Sequence, residues 1–135
     1  MTNNLILDHI SYAVTSTDNA ISQFSLIYPL VETYKCHDKS QNIYITYLTN
    51  EHESHKIELI EAACKPSPID SMLNEQVSVL YHTCYRSSNF QQSVNEFLNN
   101  GFIIVTPTFA PANEENINAS HFYSEQTGII EIIGK

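Results

Sequence analysis

His82 follows His9 by 73 residues, and Glu131 follows Glu58 by the same 73. Each of the four interrupts a run that is otherwise mostly apolar: Leu7-Asp8-His9-Ile10, Ile57-Glu58-Leu59-Ile60, Leu80-Tyr81-His82-Thr83 and Ile129-Ile130-Glu131-Ile132. A carboxylate buried in such a run without a partner costs on the order of a few kcal/mol, so it must be paired or face a polar cavity. Two-fold pseudo-symmetry would bring the four together. Two neutral imidazoles and two carboxylates make a donor set for one divalent ion per chain (Zn, Ni, Co, Mn or Fe), with room for waters or a bidentate substrate. The set does not choose among these metals. Taken singly, each glutamate could instead pair with its own histidine or face solvent on a half-exposed strand; recurrence of all four at matching positions favours the metal.

The elements that must carry these residues repeat as well. The same offset places Leu7 on Leu80, Tyr12 on Tyr85, Phe24 on Phe97, Thr33 on Thr106 and Ile60 on Ile133, which defines two modules, at about residues 5–62 and 78–135. Leu5 to Val14 alternates as a strand does, with Ile6, Asp8, Ile10, Tyr12 and Val14 on one face and Leu7, His9, Ser11 and Ala13 on the other. Thr17-Asp18-Asn19 supplies helix-capping chemistry, and Ala20, Ile21, Phe24 and Ile27 recur at helical spacing, with Pro29 marking the end. Strands follow over Asn42 to Thr49 and His55 to Glu61, joined by a polar turn from Asn50 to Ser54. Module two repeats the order: a strand from Val77 to Tyr85, a helix from about Asn89 to Asn99 with Gly101 just past it, then strands at Phe102 to Val105, Ala119 to Tyr123 and Gly128 to Ile133. The linker, about residues 63–77, is broken by Lys65-Pro66-Ser67-Pro68 and makes one helical turn over Ile69 to Leu73. Pro107 to Asn116 reads as an irregular loop, either a lid over a site or a plain connection.

A chain of 135 residues with 42% hydrophobic and 16% charged residues is expected to fold as one soluble domain, residues 1–135. No apolar run approaches the roughly 20 residues of a membrane span, and the first residues lack a signal peptide's basic start, which points to the cytoplasm and to no membrane partner. Cys36, Cys64 and Cys84 are odd in number and widely spaced, as expected of reduced thiols. A formal charge of −9 with Arg86 as the single arginine excludes a basic stripe for nucleic acid. The strands of an acidic chain leave sheet edges to cover, so a homodimer is expected.

The chain resembles the vicinal oxygen chelate (glyoxalase/bleomycin resistance/dioxygenase) superfamily, and within it methylmalonyl-CoA epimerase and glyoxalase-like proteins. The likeness rests on Leu7-Asp8-His9-Ile10-Ser11-Tyr12-Ala13-Val14, on Lys56-Ile57-Glu58-Leu59-Ile60-Glu61 followed by Ser67-Pro68-Ile69, on Leu80-Tyr81-His82-Thr83 and on Gly128-Ile129-Ile130-Glu131-Ile132. It implies an α+β fold of two tandem βαβββ modules forming a cupped mixed sheet with flanking helices. It also implies His9, Glu58, His82 and Glu131 as ligands of one divalent metal ion, within one chain or shared across a dimer. Epimerases of this family can carry glutamine at the position of Glu58. Two features depart from the epimerases. Ala112-Asn113-Glu114-Glu115-Asn116-Ile117-Asn118 is acidic where they have glycines and a basic residue, and Ile45 falls where some have a second acid/base glutamate. Ser124-Glu125-Gln126-Thr127-Gly128 is closer to a glyoxalase-like subgroup.

The chemistry implied by the resemblance is that of a metal-dependent isomerase or lyase, which moves a proton next to a carbonyl through a metal-bound enediolate or enolate. Glu131 is then both ligand and base, with Glu58 as its counterpart. Tyr44, Tyr47, Cys84 and His121 are weaker candidates for the cavity, Cys84 being more simply a small buried residue. The substrate is expected to be a small carbonyl or thioester compound, less anionic than a CoA thioester. Two other functions are carried by the same fold: a non-catalytic small-molecule binding protein of the bleomycin-resistance kind, which would not need the four ligands, and an Fe(II) ring-cleaving dioxygenase, against which the fourth ligand Glu58 argues.

Overall fold

A computed structural model describes residues 4–27, 30–52 and 54–135. Its contacts divide the chain into two compact units, one of residues 9–81 and one of residues 82–135 with the stretch ending at Asp8. Each unit is a four-stranded mixed sheet with a helix on one face, so the α+β class and the doubled βαβββ order stand.

In the first, the elements are β1 (Leu5–Val14, whose residues from His9 onward belong here), α1 (Thr17–Phe24), β2 (Val31–Asp38), β3 (Ile43–Thr49), β4 (Lys56–Ala62) and α2 (Asp70–Leu73). Strand order is β2-β3-β4-β1, antiparallel except for the parallel β1–β4 pair, which aligns Ser11 with Glu58. The period-two pattern sorts the side chains. Val14, Leu48, Ile57 and Leu59 pack with Ala20, Ile21 and Phe24 of α1 on one face. Ala13, Ile43, Ile45, Tyr47 and Ile60 pack with Ile69 and with Met72 and Leu73 of α2 on the other. His9 and Glu58 fall on this second face by alternation.

The second unit contains β5 (Ser78–Ser87, its residues from His82 onward), α3 (Phe90–Asn99), β6 (Ile103–Phe109), β7 (Asn118–Ser124) and β8 (Gly128–Gly134). The order is β5-β8-β7-β6, again with one parallel pair, β5–β8. Phe122, Ile130 and Ile132 meet Phe90, Val94 and Phe97 around α3. On the opposite face Cys84, Ala119 and Ile133 cluster with Ile117 and Phe109.

Several expected boundaries move, for physical reasons. The α1 cap is Ser16, whose hydroxyl accepts from the Asn19 N–H, rather than the Thr17-Asp18-Asn19 stretch itself. The helix ends at Phe24, leaving Ile27 exposed beyond it, while Pro29 lies outside the described residues. β2 has no counterpart among the runs recognised in the sequence, because an edge strand paired only with β3 keeps most of its side chains exposed on both faces and shows no alternation. β6 continues through Pro107 to Phe109, past the boundary at Val105, since an edge strand tolerates a residue without an N–H; its register with β7 breaks on either side of Thr106. The irregular loop therefore shrinks to residues 110–117. Gly101, with φ at +88°, does sit just past α3. Among the described residues no helix is long and apolar enough to cross a membrane.

Candidate metal centre

In the unit of residues 9–81, His9 and Glu58 are brought together. Both are nearly inaccessible, at 2% and 4% exposure, and His9 Nε2 lies 3.6 Å from Glu58 Oε1. The other carboxylate oxygen, Oε2, accepts a 2.6 Å hydrogen bond from the Tyr47 hydroxyl. Tyr47 is the cross-strand partner of Glu58 and meets the His9 ring edge-on at 5.4 Å. Lys56 places its ammonium 5.8 Å from the Tyr47 ring centroid. The parallel register explains the meeting of His9 and Glu58: Ser11 is the Cα partner of Glu58, so His9 lies diagonally one pleat away on the same face.

The unit of residues 82–135 repeats this arrangement. His82 Nε2 lies 3.3 Å from Glu131 Oε1, with exposures of 4% and 8%. Cys84 is the Cα partner of Glu131, as Ser11 is of Glu58. Here the cross-strand partner of the carboxylate is His121, buried, with Nε2 3.4 Å from Glu131 Oε2. The His121 ring is 5.1 Å from that of His82 and stacks on Phe109 at 5.5 Å and 21°. Donor atoms of His82, His121 and Glu131 all lie within 4.8 Å of one another.

The weaker candidates separate. His121 and Tyr47 stand against the two glutamates, whereas Tyr44 pairs in register with Glu61 and packs on His37, on the face away from Glu58. Cys84 is wholly buried among apolar side chains on the His82 face. Glu61 points the other way from Glu58, as alternation requires, and accepts from the Thr17 N–H at the start of α1, where a carboxylate suits the helix dipole. Ile45 lies in the apolar cluster and offers no acid/base group.

Gapless self-comparison of the sequence could not give His121 its weight, because the 73-residue offset sets Leu48 against it. Glu58 follows Tyr47 by 11 residues while Glu131 follows His121 by ten, so the second hairpin is one residue shorter and the true counterpart is Tyr47. The signal in reach was alternation, which puts His121 and Ala119 on one face of β7.

The acidic loop is tied down. Arg86 makes a forked contact to Glu114, at 3.0 and 2.8 Å, and reaches Asp8 at 3.3 Å. The Glu114 hydrogen bonds raise the guanidinium pKa further above its usual range, and Ile117 is buried at the loop's end. One of the loop's two carboxylates, Glu114, is thus paired with a cation.

The donors fit a divalent ion chemically. Imidazole and carboxylate are the ligands of Zn and its neighbours, and each pair is buried where an unbalanced carboxylate would be costly. The Ser11 hydroxyl, fully buried beside Glu58 in register, has no hydrogen-bond partner among the described residues, which marks that face as polar rather than sealed core.

Solved structures with similar folds include methylmalonyl-CoA epimerase from Mycobacterium tuberculosis, 18% identical over 95% of this chain and 86% of that one, with a TM-score of 0.80. A hypothetical protein from Bacillus halodurans C-125 is 22% identical over 100% and 96% of the two chains, with a TM-score of 0.82. Streptomyces coelicolor methylmalonyl-CoA epimerase in complex with 2-nitronate-propionyl-CoA is 12% identical over 96% of each chain, with a TM-score of 0.77. At these identities the likeness is one of fold. No curated protein matches the sequence. The family model described as the Glyoxalase/Bleomycin resistance protein/Dioxygenase superfamily matches residues 8–119, and the chain belongs to that superfamily.

Proposed function

We propose that the protein is a metal-dependent isomerase or lyase that moves a proton next to a carbonyl, working as a single domain with His9, Glu58, His82 and Glu131 as ligands of one divalent ion. The observation that carries this reading is the recurrence of one buried arrangement, a histidine 3.3–3.6 Å from a glutamate on paired parallel strands, at equivalent positions of both modules. A non-catalytic binding protein has no need for it twice. When bound, the ion would supply Lewis-acid stabilisation of negative charge on carbonyl oxygens. Glu131 is the proton-moving carboxylate, because the 2.6 Å bond from Tyr47 holds Glu58 more firmly than the 3.4 Å approach of His121 holds Glu131.

The substrate is a small carbonyl or thioester compound. The epimerase neighbours include one in complex with a CoA compound, and pairing of Glu114 with Arg86 lowers the electrostatic objection to a thioester of that size without supplying a cationic handle for its phosphates. A homodimer follows from the edge strands β2 and β6, the latter with Ile103 and Val105 at least half exposed.

The test is deuterium incorporation from solvent, followed by NMR across 2-oxo acids, hemithioacetals and acyl thioesters, with Zn, Ni, Co, Mn or Fe(II) restored. Exchange without oxygen consumption is expected for at least one class. Tight binding of an unreacted apolar ligand with no exchange anywhere would favour sequestration, and oxygen uptake a dioxygenase.

A further inference from the structure

We infer that His121 is a further ligand of the ion, so that the second module alone presents a three-donor set, His82, His121 and Glu131. This rests on the metal-binding reading above and adds to it a residue that the internal repeat does not supply.

The argument begins with geometry. Donors bound to one ion at about 2.0–2.2 Å lie roughly 3–4.4 Å apart, depending on the angle between them. His82 Nε2 and His121 Nε2 stand 3.3 and 3.4 Å from the two oxygens of Glu131, and donor atoms of all three residues lie within 4.8 Å of one another. Small side-chain shifts would close them on a common centre. His121 also comes from a well-ordered setting for a ligand: it is buried in the middle of β7, paired in register with Glu131 and stacked on Phe109, which fixes the ring plane and limits the rotamers to be lost on binding.

Comparison with the first module sharpens the point. The equivalent place there holds Tyr47, a neutral phenol that donates to Glu58 and fixes that carboxylate. Had module two needed only a donor to orient its glutamate, the same tyrosine would serve. An imidazole in that place offers a nitrogen lone pair, a far better donor to a divalent ion than the oxygen of an un-ionised phenol. With His121 in the set, His9, Glu58, His82 and His121 would hold the ion when Glu131 serves as the base. A third imidazole should further bias the site away from Mn and towards Co, Ni or Zn.

The direct test counts the imidazoles on the ion in wild-type protein and in His121→Gln. In Co(II)-loaded wild-type protein each coordinated imidazole gives one paramagnetically shifted, exchangeable ring N–H signal. Three such signals are expected; two that both persist in His121→Gln would overturn the inference and leave the four-ligand reading intact. His121→Gln should lose one signal and weaken Co(II) binding by at least about tenfold, as His9→Ala should, which corresponds to 1.4 kcal/mol. His121→Asp, which restores a ligand of another type, should recover affinity and shift preference towards Mn. If His121→Gln keeps its affinity within about twofold and all the wild-type signals, His121 is no ligand. If His9→Ala keeps its affinity and two signals are seen, one of them lost in His121→Gln, the second module binds the ion by itself and the four-ligand reading is the one that fails. No ion bound by wild-type protein would remove both.

Discussion

Tyr47 and His121 hold the same station in the two modules, each directly across an antiparallel pair from the glutamate of the last strand and each against the carboxylate oxygen turned away from the nearby histidine. The two halves of the repeat are therefore alike in their histidine and glutamate and unlike in what braces the glutamate. A phenol holds one carboxylate by a short hydrogen bond, and an imidazole approaches the other more loosely.

Removing the phenol should reveal its part. Tyr47→Phe keeps the ring that lies edge-on to His9 and deletes only the hydroxyl that donates to Glu58. Loss of a buried hydrogen bond to a carboxylate should cost about 1–3 kcal/mol in metal-free protein, read by urea unfolding. Metal affinity should fall by about 10–100-fold, as when a residue supporting a ligand is lost. Unchanged affinity would mean that Glu58 needs no bracing to bind.

Why this asymmetry escaped the sequence is a matter of one residue. Self-comparison found every feature that lies at a constant offset: the β1 and β5 histidines, the β4 and β8 glutamates, and the helices between them. It failed where the modules differ in length, and the shorter β7–β8 hairpin moved His121 onto Leu48. The edge strands were obscured for another reason. β2 and β6 keep most of their side chains exposed, so burial imposes no clear period-two pattern on them, and Pro107 reads as a break although β6 runs through it. The alternation that placed His9 with Ser11 and Ala13, by contrast, was legible because β1 separates two packed faces.

The loop over residues 110–117 should depend on Arg86. In Arg86→Ala the forked contact to Glu114 disappears and Asp8 loses its ion partner. Because the arginine side chain is 40% exposed, the loss of global stability should stay below about 1 kcal/mol. Local opening should respond far more, with amide hydrogen exchange at Glu114 to Asn116 faster by about tenfold and little change in β7 and β8. Exchange that stays at the wild-type rate would show that burial of Ile117 alone anchors the loop.

Asp38, the last residue of β2 before the turn to β3, sets a pH dependence distant from the site. Burial pushes its carboxyl up, but hydrogen bonds from the Ser40 hydroxyl, the Gln41 side-chain amide and the Ser40 and Gln41 backbone N–H groups outweigh this and hold it below the usual range. A depressed carboxyl contributes stability that is fully present above the unfolded value of about 3.9 and is lost as pH falls through the folded value. Asp38→Asn should therefore be less stable than wild type by about 1–2 kcal/mol at pH 7, with the gap closing towards pH 3. Parallel unfolding curves with a constant gap between pH 3 and 7 would show that shape rather than charge matters at this turn.

The division of labour between the two glutamates can be separated by one substitution in each. Glu58→Gln keeps a carbonyl oxygen that can still accept from Tyr47 and still bind an ion, so it should retain most of the metal affinity and a substantial share of proton transfer. Glu131→Gln presents the same oxygen to His82 and His121 but cannot take up a proton, so it should bind metal yet lose proton exchange by about 10²–10⁴-fold, the usual contribution of a general base. Metal titration and solvent deuterium exchange on the same samples read the two effects apart. Equal loss of exchange in both variants would mean that the tie from Tyr47 does not decide which carboxylate moves the proton. A loss confined to Glu58→Gln would reverse the assignment.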